Sequence, residues 1–582
     1  MMLRFVVMLC LLLWPLLGLQ PAYARDTGVD RHVRHFVVEP SGAYLLTVEQ
    51  TRTIAERDAL HDDARYEIGY NQSLEDIIAI EAHTEKADGR RLAVQPHQIR
   101  DQQQAASVDA PMLQNTRLKL VVFPDVDAGD RVAVRYVVRR HTPLFPGHFE
   151  DLSSARFQHQ RDFRLVYDMP AAMVLHADAA GFFPTAAADL PAPAAGKRRY
   201  AWRYLDGDNA RIEAGSVSEL DYGKRLAVST FADYAALARD YQDRAGARAV
   251  PDDAVAALAA RVTGDVAEPR ARAIALSDWV RHNVRYVALY LGPGGVVPHA
   301  AASVLANLYG DAKDHATLLV ALLASTGIDS TVALVNNGNA YQLPAAPTLR
   351  VLNHAIVYVP SLQLYLDSTA DSVAGGFLPA ALLGKPAVLT RSGEFAMLPV
   401  FQQAHSQTLT QFTIQSDGSS RLTVTRTGSG ALAELYRDVP GGDVAISSRG
   451  ASNGFTQLPG PARLATTYDL RGSLGEAVFA FAQEPERHQD FVCPAIDAED
   501  ELRFHLPTRA RVLALPRAVH VDDANFAYHS RYARRGALVT VQRQLKFRHT
   551  AATCTPDDYR RMRPALERMV RDLRSQVVFK RG

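Results

Sequence analysis

Apolar and polar residues alternate through much of the N-terminal third of the chain. His35-Phe36-Val37-Val38 and Tyr44-Leu45-Leu46-Thr47-Val48 flank Pro40-Ser41-Gly42, a strand–turn–strand pattern. Asp88-Gly89 marks a second tight turn. Leu118–Phe123 and Arg131–Val138 read as further strands separated by Pro124 and Gly129, with Val132, Val134 and Tyr136 on one face. Residues 25–227 are therefore expected to form an antiparallel β-sandwich. Within them, residues 170–197 are rich in Ala and Pro and read as a loop on the sandwich or a partial linker. Strand character resumes at Tyr200–Tyr204.

The period changes near residue 228. Helical spacing covers Phe231–Arg244, Asp252–Val262, Glu268–Asn283, Ala300–Leu308 and Ala312–Ser325, and Gly327 stands where a helix C-terminus favours glycine. Ala273, Leu276, Trp279 and Val280 share one face. Strands are predicted at Ser330–Val335, Leu352–Val359 and Leu364–Ser368. Helices followed by an antiparallel sheet define an α+β domain over residues 228–395. Residues 396–582 return to strands, with Ser416-Asp417-Gly418-Ser419 turning between Gln411–Gln415 and Arg421–Arg426, and with Leu538–Leu545 alternating again. The chain then predicts a last helix: Thr555 as cap, Pro556 at its first position, Asp557 and Asp558 in its first turn. Tyr559, Met562, Leu566, Met569, Val570 and Leu573 follow at helical spacing, and Pro564 is expected to kink or restart the helix. The fold class is thus multidomain α+β: an N-terminal antiparallel β-sandwich, a central α+β core, and a C-terminal β-rich domain ending in a helix.

Composition narrows the setting. A length of 582 residues fits about three or four domains. A hydrophobic fraction of 47% with 22% charged residues excludes global disorder. Lys+Arg of 64 against Asp+Glu of 63 gives no general attraction to nucleic acid. Met1–Arg4 is a short basic start, and the apolar run Phe5–Leu19 is shorter than the ~20 residues a membrane span needs. Ala22-Tyr23-Ala24 supplies a small-x-small cleavage signature. Residues 1–24 are accordingly expected to be a cleaved signal peptide, with a retained anchor as the competing reading. The mature protein is then periplasmic or secreted, with no stable membrane span. Cys10 leaves with the leader, and Cys493 and Cys554, the remaining thiols in an oxidising compartment, are predicted to form a disulfide.

The stretch with chemical content is Tyr309-Gly310-Asp311-Ala312-Lys313-Asp314-His315. It follows Gly292-Pro293-Gly294-Gly295-Val296-Val297-Pro298 and opens the apolar helix carrying Leu318–Leu323. The first turn of a buried helix is where backbone N–H groups converge, a place that stabilises a thiolate or an oxyanion. Downstream lie Asn353-His354 and Leu366-Asp367-Ser368-Thr369. If Pro360–Gln363 forms the turn, His354 opposes Thr369 and Ile356 opposes Asp367. His354 and Asp367 are then diagonal neighbours on one face, roughly 7 Å apart at Cβ. A carboxylate orienting an imidazole is half of a nucleophile–base–orienter triad. Other signals are weak. Gly292-Pro293-Gly294-Gly295 lacks the Lys-Ser/Thr of a phosphate loop, and no His/Cys/Asp/Glu cluster has zinc spacing, so neither cofactor nor metal is expected. His282 and His299 read as packing or surface residues, Tyr286 and Tyr290 as core more than cleft lining, and Asn353 equally as a site-shaping or a strand-end polar residue.

The stretch resembles the transglutaminase-like (papain-like) core of bacterial secreted proteins, whose site helix starts Gly-Asp-Cys-Lys-Asp. The resemblance implies His354 as base, Asp367 as its orienter and Ala312 at the nucleophile position. Residues 33–220 also resemble the domain of unknown function that commonly precedes this core. A methyl group cannot attack an acyl carbon, so Ala312 leaves the nucleophile position degenerate. His315, one turn on, is no replacement, and Lys313 and Asp314 read as helix-start charges. Three functions follow. The favoured one is a pseudoenzyme that binds a peptide, protein or cell-wall component. The second is an active cysteine-type acyltransferase or peptidase in which Ala312 is an engineered replacement of Cys. The third is a structural envelope scaffold.

Overall fold

The computed structural model describes residues 29–54, 64–103, 115–155, 160–187, 189–205, 212–287, 296–436, 445–452, 461–468 and 473–581. The leader 1–24, Tyr290 and the loop Gly292–Gly295 lie outside them.

The N-terminal strands follow the alternation. Val29–Val38 pairs antiparallel with Tyr44–Thr53 around a turn in which Gly42 takes φ 86°, a conformation glycine adopts without penalty. Tyr44–Thr53 pairs in turn with Arg131–Arg140, and that strand with Glu75–Glu85, within an eight-stranded sheet. One pairing departs from the expected antiparallel pattern. Val29–Val38 runs parallel to Asp162–Pro170, with His32 opposite Phe163 and Val37 opposite Asp168. Alternation fixes which face a residue occupies, not the strand it pairs with, and only a long crossover can bring parallel strands together. Residues 170–197 are part of the sheets rather than a linker. His176–Ala180 pairs with Arg225–Ser229, and Phe183–Pro184 pairs with Lys197–Leu205. The buried face is aromatic: Phe36 stacks on Tyr167 at 5.2 Å, and Phe149 meets both edge-on.

The central region has helices Tyr234–Ala245, Asp253–Thr263, Pro269–Asn283, Ala301–Asn307 and Ala312–Ser325. Asp233, Asp252 and Glu268 cap the first three through side-chain oxygens. A five-stranded antiparallel sheet follows, in the order Leu364–Leu366, His354–Val359, Thr331–Val335, Pro386–Leu389, Phe395–Met397. Helix Ala312–Ser325 is buried on nearly every side and packs against strand His354–Val359. Leu318, Leu319, Leu322 and Leu323 share one core with Leu276, Val280 and Val357.

The C-terminal region centres on a seven-stranded sheet. Its hairpin Ala404–Ile414 and Ser420–Gly430 turns at the expected Asp417-Gly418. Ala404–Ile414 also pairs parallel with Asp497–His505. Helix Pro556–Leu573 continues through Pro564 and does not restart there. Proline removes one hydrogen bond to the residue four earlier, here Arg560. Both Arg560 and Pro564 are exposed, so water can serve the freed carbonyl. A short strand, Gln576–Arg581, follows the helix and pairs with Ala462–Ala465 and Ala510–Ala514. The Cys493–Cys554 disulfide joins chain segments 61 residues apart with Cα atoms 5.2 Å from one another. Among the described residues no helix is long and apolar enough to cross a membrane.

Candidate functional site

The site is assembled by one helix start and two strand ends. Tyr309–Gly310 pairs parallel with Arg285–Tyr286 and delivers the chain to Asp311. Gly310 is required by packing, because a Cβ there would lie 2.6 Å from Cβ of Asp314. Asp311 caps the helix: its Oδ1 accepts from Asp314 N at 3.3 Å, and Asp314 Oδ2 accepts from Asp311 N at 3.3 Å, a reciprocal capping box. Ala312 is the first residue of the helix and is buried.

Lys313 and Asp314 stand at the helix start, and both are buried. Lys313 donates from Nζ to Asp311 Oδ2. Asp314 is 0% exposed and accepts from His299 N at 2.8 Å, with His299 Nδ1 at 3.1 Å. Burial pushes the Asp311 carboxyl up against the pull of Lys313. Burial also opposes the Lys313 charge, but Asp311 and Asp314 outweigh it and hold its pKa above the ordinary lysine range. For Asp314 the upward push of burial loses to the bond from His299 and the charge of Lys313, and its pKa falls. His299 is raised in return by its bond to Asp314.

His315, a polar residue of the first helical turn, is turned inward. It is 1% exposed, and its Nδ1 donates to the carbonyl of Ser368 at 2.9 Å. The Tyr286 ring meets the imidazole edge-on at 5.7 Å. Burial holds the His315 pKa below the usual histidine range, so the ring is neutral near pH 7. This contact ties the helix start to the strand end beside Asp367. No sequence pattern marked it, because a histidine in a first helical turn is ordinarily solvated.

Val357 pairs with Leu366 and Val359 with Leu364, the register that sets His354 diagonal to Asp367. His354 Nε2 lies 3.0 Å from Asp367 Oδ2, and both side chains are 1% exposed. Asp367 Oδ1 accepts from Thr369 N at 2.9 Å and from Thr369 Oγ1 at 2.7 Å. Burial pushes the Asp367 carboxyl up, but the His354 charge and these bonds outweigh it and hold its pKa low. With Nε2 engaged, Nδ1 is the nitrogen of His354 left to serve a neighbour. The arrangement can orient an imidazole and offer helix-start N–H groups to an acceptor, and Ala312 supplies no atom that attacks. Asn353, next to His354 in the chain, accepts from Asn337 N at 2.7 Å, and His282 Nε2 lies 3.3 Å from Glu434 Oε1.

Cys493, His549 and Cys554 form a group whose ligand atoms lie within 4.8 Å of one another. With both sulfurs joined in the disulfide, the group offers no thiolate to a metal.

A sequence profile of the transglutaminase-like superfamily matches residues 256–360. Profiles of two domains of unknown function, DUF3857 and DUF3858, match residues 40–207 and 475–579. The chain carries a transglutaminase-like core flanked by a DUF3857 and a DUF3858 domain. It is similar in fold to the crystal structure of a candidate protease from Parabacteroides distasonis, with a TM-score of 0.74 at 15% identity over 96% of this chain and 100% of that one. A candidate cysteine protease from Cytophaga hutchinsonii aligns at 10% identity over 57% of this chain and 78% of that one, with a TM-score of only 0.16. An M1 zinc metallopeptidase from Deinococcus radiodurans aligns at 11% identity over 35% and 42%, with a TM-score of 0.20. Neither of these last two bears on function. No curated protein matches the chain.

Proposed function

We propose that the protein is an extracytoplasmic transglutaminase-like pseudoenzyme that binds a peptide or cell-envelope component without turning it over. One observation carries this reading: Ala312 occupies the first helical position beside a complete Asp311–Asp314 cap, while the His354–Asp367 pair stays intact. The similar fold of a candidate protease supports a peptide as the ligand class. The disulfide supports an oxidising compartment. Residues 1–24 act as a cleaved leader, so the exported protein begins at Arg25 on N-terminal sequencing.

The decisive experiment restores the missing atom. The protein with Ala312 shows no transamidation or amide hydrolysis of peptide substrates. Ala312→Cys creates a thiol whose pKa falls below the free value of about 8.5, because the helix start and His354 both favour the thiolate. Iodoacetamide labels it near neutral pH. Adding His354→Ala slows labelling about tenfold or more, and Asp367→Ala slows it less, since Asp367 acts through His354. Peptidase or transamidase turnover by the Ala312 protein would overturn the reading. If the thiol introduced by Ala312→Cys is as slow as free cysteine and indifferent to His354, the protein moves to a purely structural role.

A further inference from the structure

We propose that the cavity where the three regions of the chain meet binds a small carboxylate carried on an apolar body. The cavity has a volume of about 390 Å³, within the lower range of ligand sites. Ala214 and Gly215 reach it from the end of the N-terminal region, Leu383 and Phe401 from the core, and Phe481 and Val492 from the C-terminal region. These walls are apolar, and Phe401 is half exposed.

Its lining carries a buried guanidinium with no carboxylate bonded to it. Arg487 lines the cavity and is 5% exposed, yet its Nε and Nη1 are buried with no hydrogen-bond partner. Its flat faces are occupied, with the Phe491 ring at 4.4 Å and the Tyr559 ring at 5.1 Å. Only its edge is left to bond. No carboxylate among the described residues lies within ion-pair distance. Glu213 is turned to the N–H groups of His488 and Gln489, and Glu484 to that of Ala214, so both act on the guanidinium only through space. Burial outweighs their help and lowers the Arg487 pKa. His549 also lines the cavity and holds Nε2 buried without a partner. Arg543 shows the contrast. It is equally buried, but its nitrogens reach Asp572, Thr466 and Tyr532, as a structural arginine requires. A buried guanidinium edge lacking both acceptor and countercharge is costly unless something supplies them. A carboxylate supplies both, and its apolar body fits the walls. Two sources share this chemistry, a fatty acid and the free end of an apolar peptide.

The test uses the full chain and two matched pairs in calorimetric titration: octanoate against octan-1-ol, and N-acetyl-Leu-Leu acid against its amide. At least one acid binds tenfold or more tightly than its uncharged mate. Arg487→Gln removes that preference, and Ala480→Trp, which fills the cavity from an exposed helix position, abolishes binding while leaving Arg487 in place. Octanoate alone identifies a lipid-derived acid; the dipeptide acid alone identifies a peptide terminus. The proposal is overturned if neither acid binds at millimolar concentration, if acid and neutral mate bind alike, or if Arg487→Gln keeps the preference. Should Arg487→Gln fail to fold by circular dichroism, unchanged binding in Ala480→Trp overturns it. Ala312 and His354 are untouched throughout, so this result and the pseudoenzyme reading stand or fall separately.

Discussion

Two helices in this protein begin with the same local device and end in different roles. Asp311 and Asp314 form a capping box at the start of Ala312–Ser325, and Thr555 and Asp558 form one at the start of Pro556–Leu573. Around the second start the charges face water: Arg560 pairs with Asp557 and Arg561 with Asp558, with both arginines exposed. Around the first, Lys313, Asp314 and His315 are all buried and bonded inward to Asp311, His299 and Ser368. The second start is anchored covalently, since Cys554 immediately precedes Thr555. The first is anchored by ions and hydrogen bonds alone. A cap therefore marks only where a helix begins. A candidate site emerges where the cap is buried and a His–Asp pair is brought beside it.

The largest effect separating the two starts lies in Lys313. Replacing it with Met leaves Asp311 buried without its cation and Asp314 with His299 alone, and removing one partner of a buried ion pair costs roughly 3–5 kcal/mol. The loss should be greater at pH 7 than at pH 4. Burial already raises the Asp311 pKa and Lys313 opposes that rise, so without Lys313 the folded Asp311 holds its proton still more tightly than the unfolded one, and the deficit grows as pH rises above the unfolded pKa. Urea unfolding at both pH values measures it. A loss under 1 kcal/mol, as at an exposed pair, would erase the contrast.

How much of this was legible beforehand depends on whether a signal was local. Helix Ala312–Ser325 was readable to the residue, because Asp311 caps it and the apolar run inside it is long. The His354–Asp367 register was readable because the turn at Pro360–Gln363 is short and fixes the strand offset. The burial of Lys313, Asp314 and His315 was not readable: polar letters in a first turn ordinarily face water, and only His299 and Ser368, distant in sequence, draw them inward. The parallel pairing of Val29–Val38 with Asp162–Pro170 was hidden for the same reason. Arg487 carried no signal at all, since its meaning depends on acceptors that are missing in space.

A smaller effect is set by acid. Asp367 has a depressed folded pKa, so its contribution is complete above the unfolded value and disappears as pH falls through the folded one. Part of the stability lost on acidification below about pH 4 therefore belongs to the His354–Asp367 pair. His354→Gln removes the ring that bonds Asp367 and should flatten that part of the stability-against-pH curve, with a larger deficit above the unfolded carboxylate pKa than below it. Melting temperatures between pH 3 and pH 7 read the difference. An acid limb with the same slope in both proteins would show that Asp367 keeps its low pKa through Thr369 alone.

The smallest effect belongs to the exposed start. Thr555 Oγ1 accepts from Asp558 N at 3.2 Å, and Thr555 N donates to Asp558 Oδ2 at 2.8 Å. Thr555→Ala removes the hydroxyl and leaves the second bond, so the cost should be about 1 kcal/mol, typical of a lost N-cap. The disulfide one residue earlier still holds the chain end against the helix, which limits fraying. Replacing Cys493 and Cys554 with Ser removes that tether, and Thr555→Ala should then cost more than in the bridged protein. The two changes are neighbours, so they are expected to couple rather than add. Urea unfolding of the four proteins of this cycle gives the coupling directly. Strict additivity would mean that the tether and the cap act independently. A Thr555→Ala cost as large as that of Lys313→Met would mean that burial does not distinguish the two helix starts.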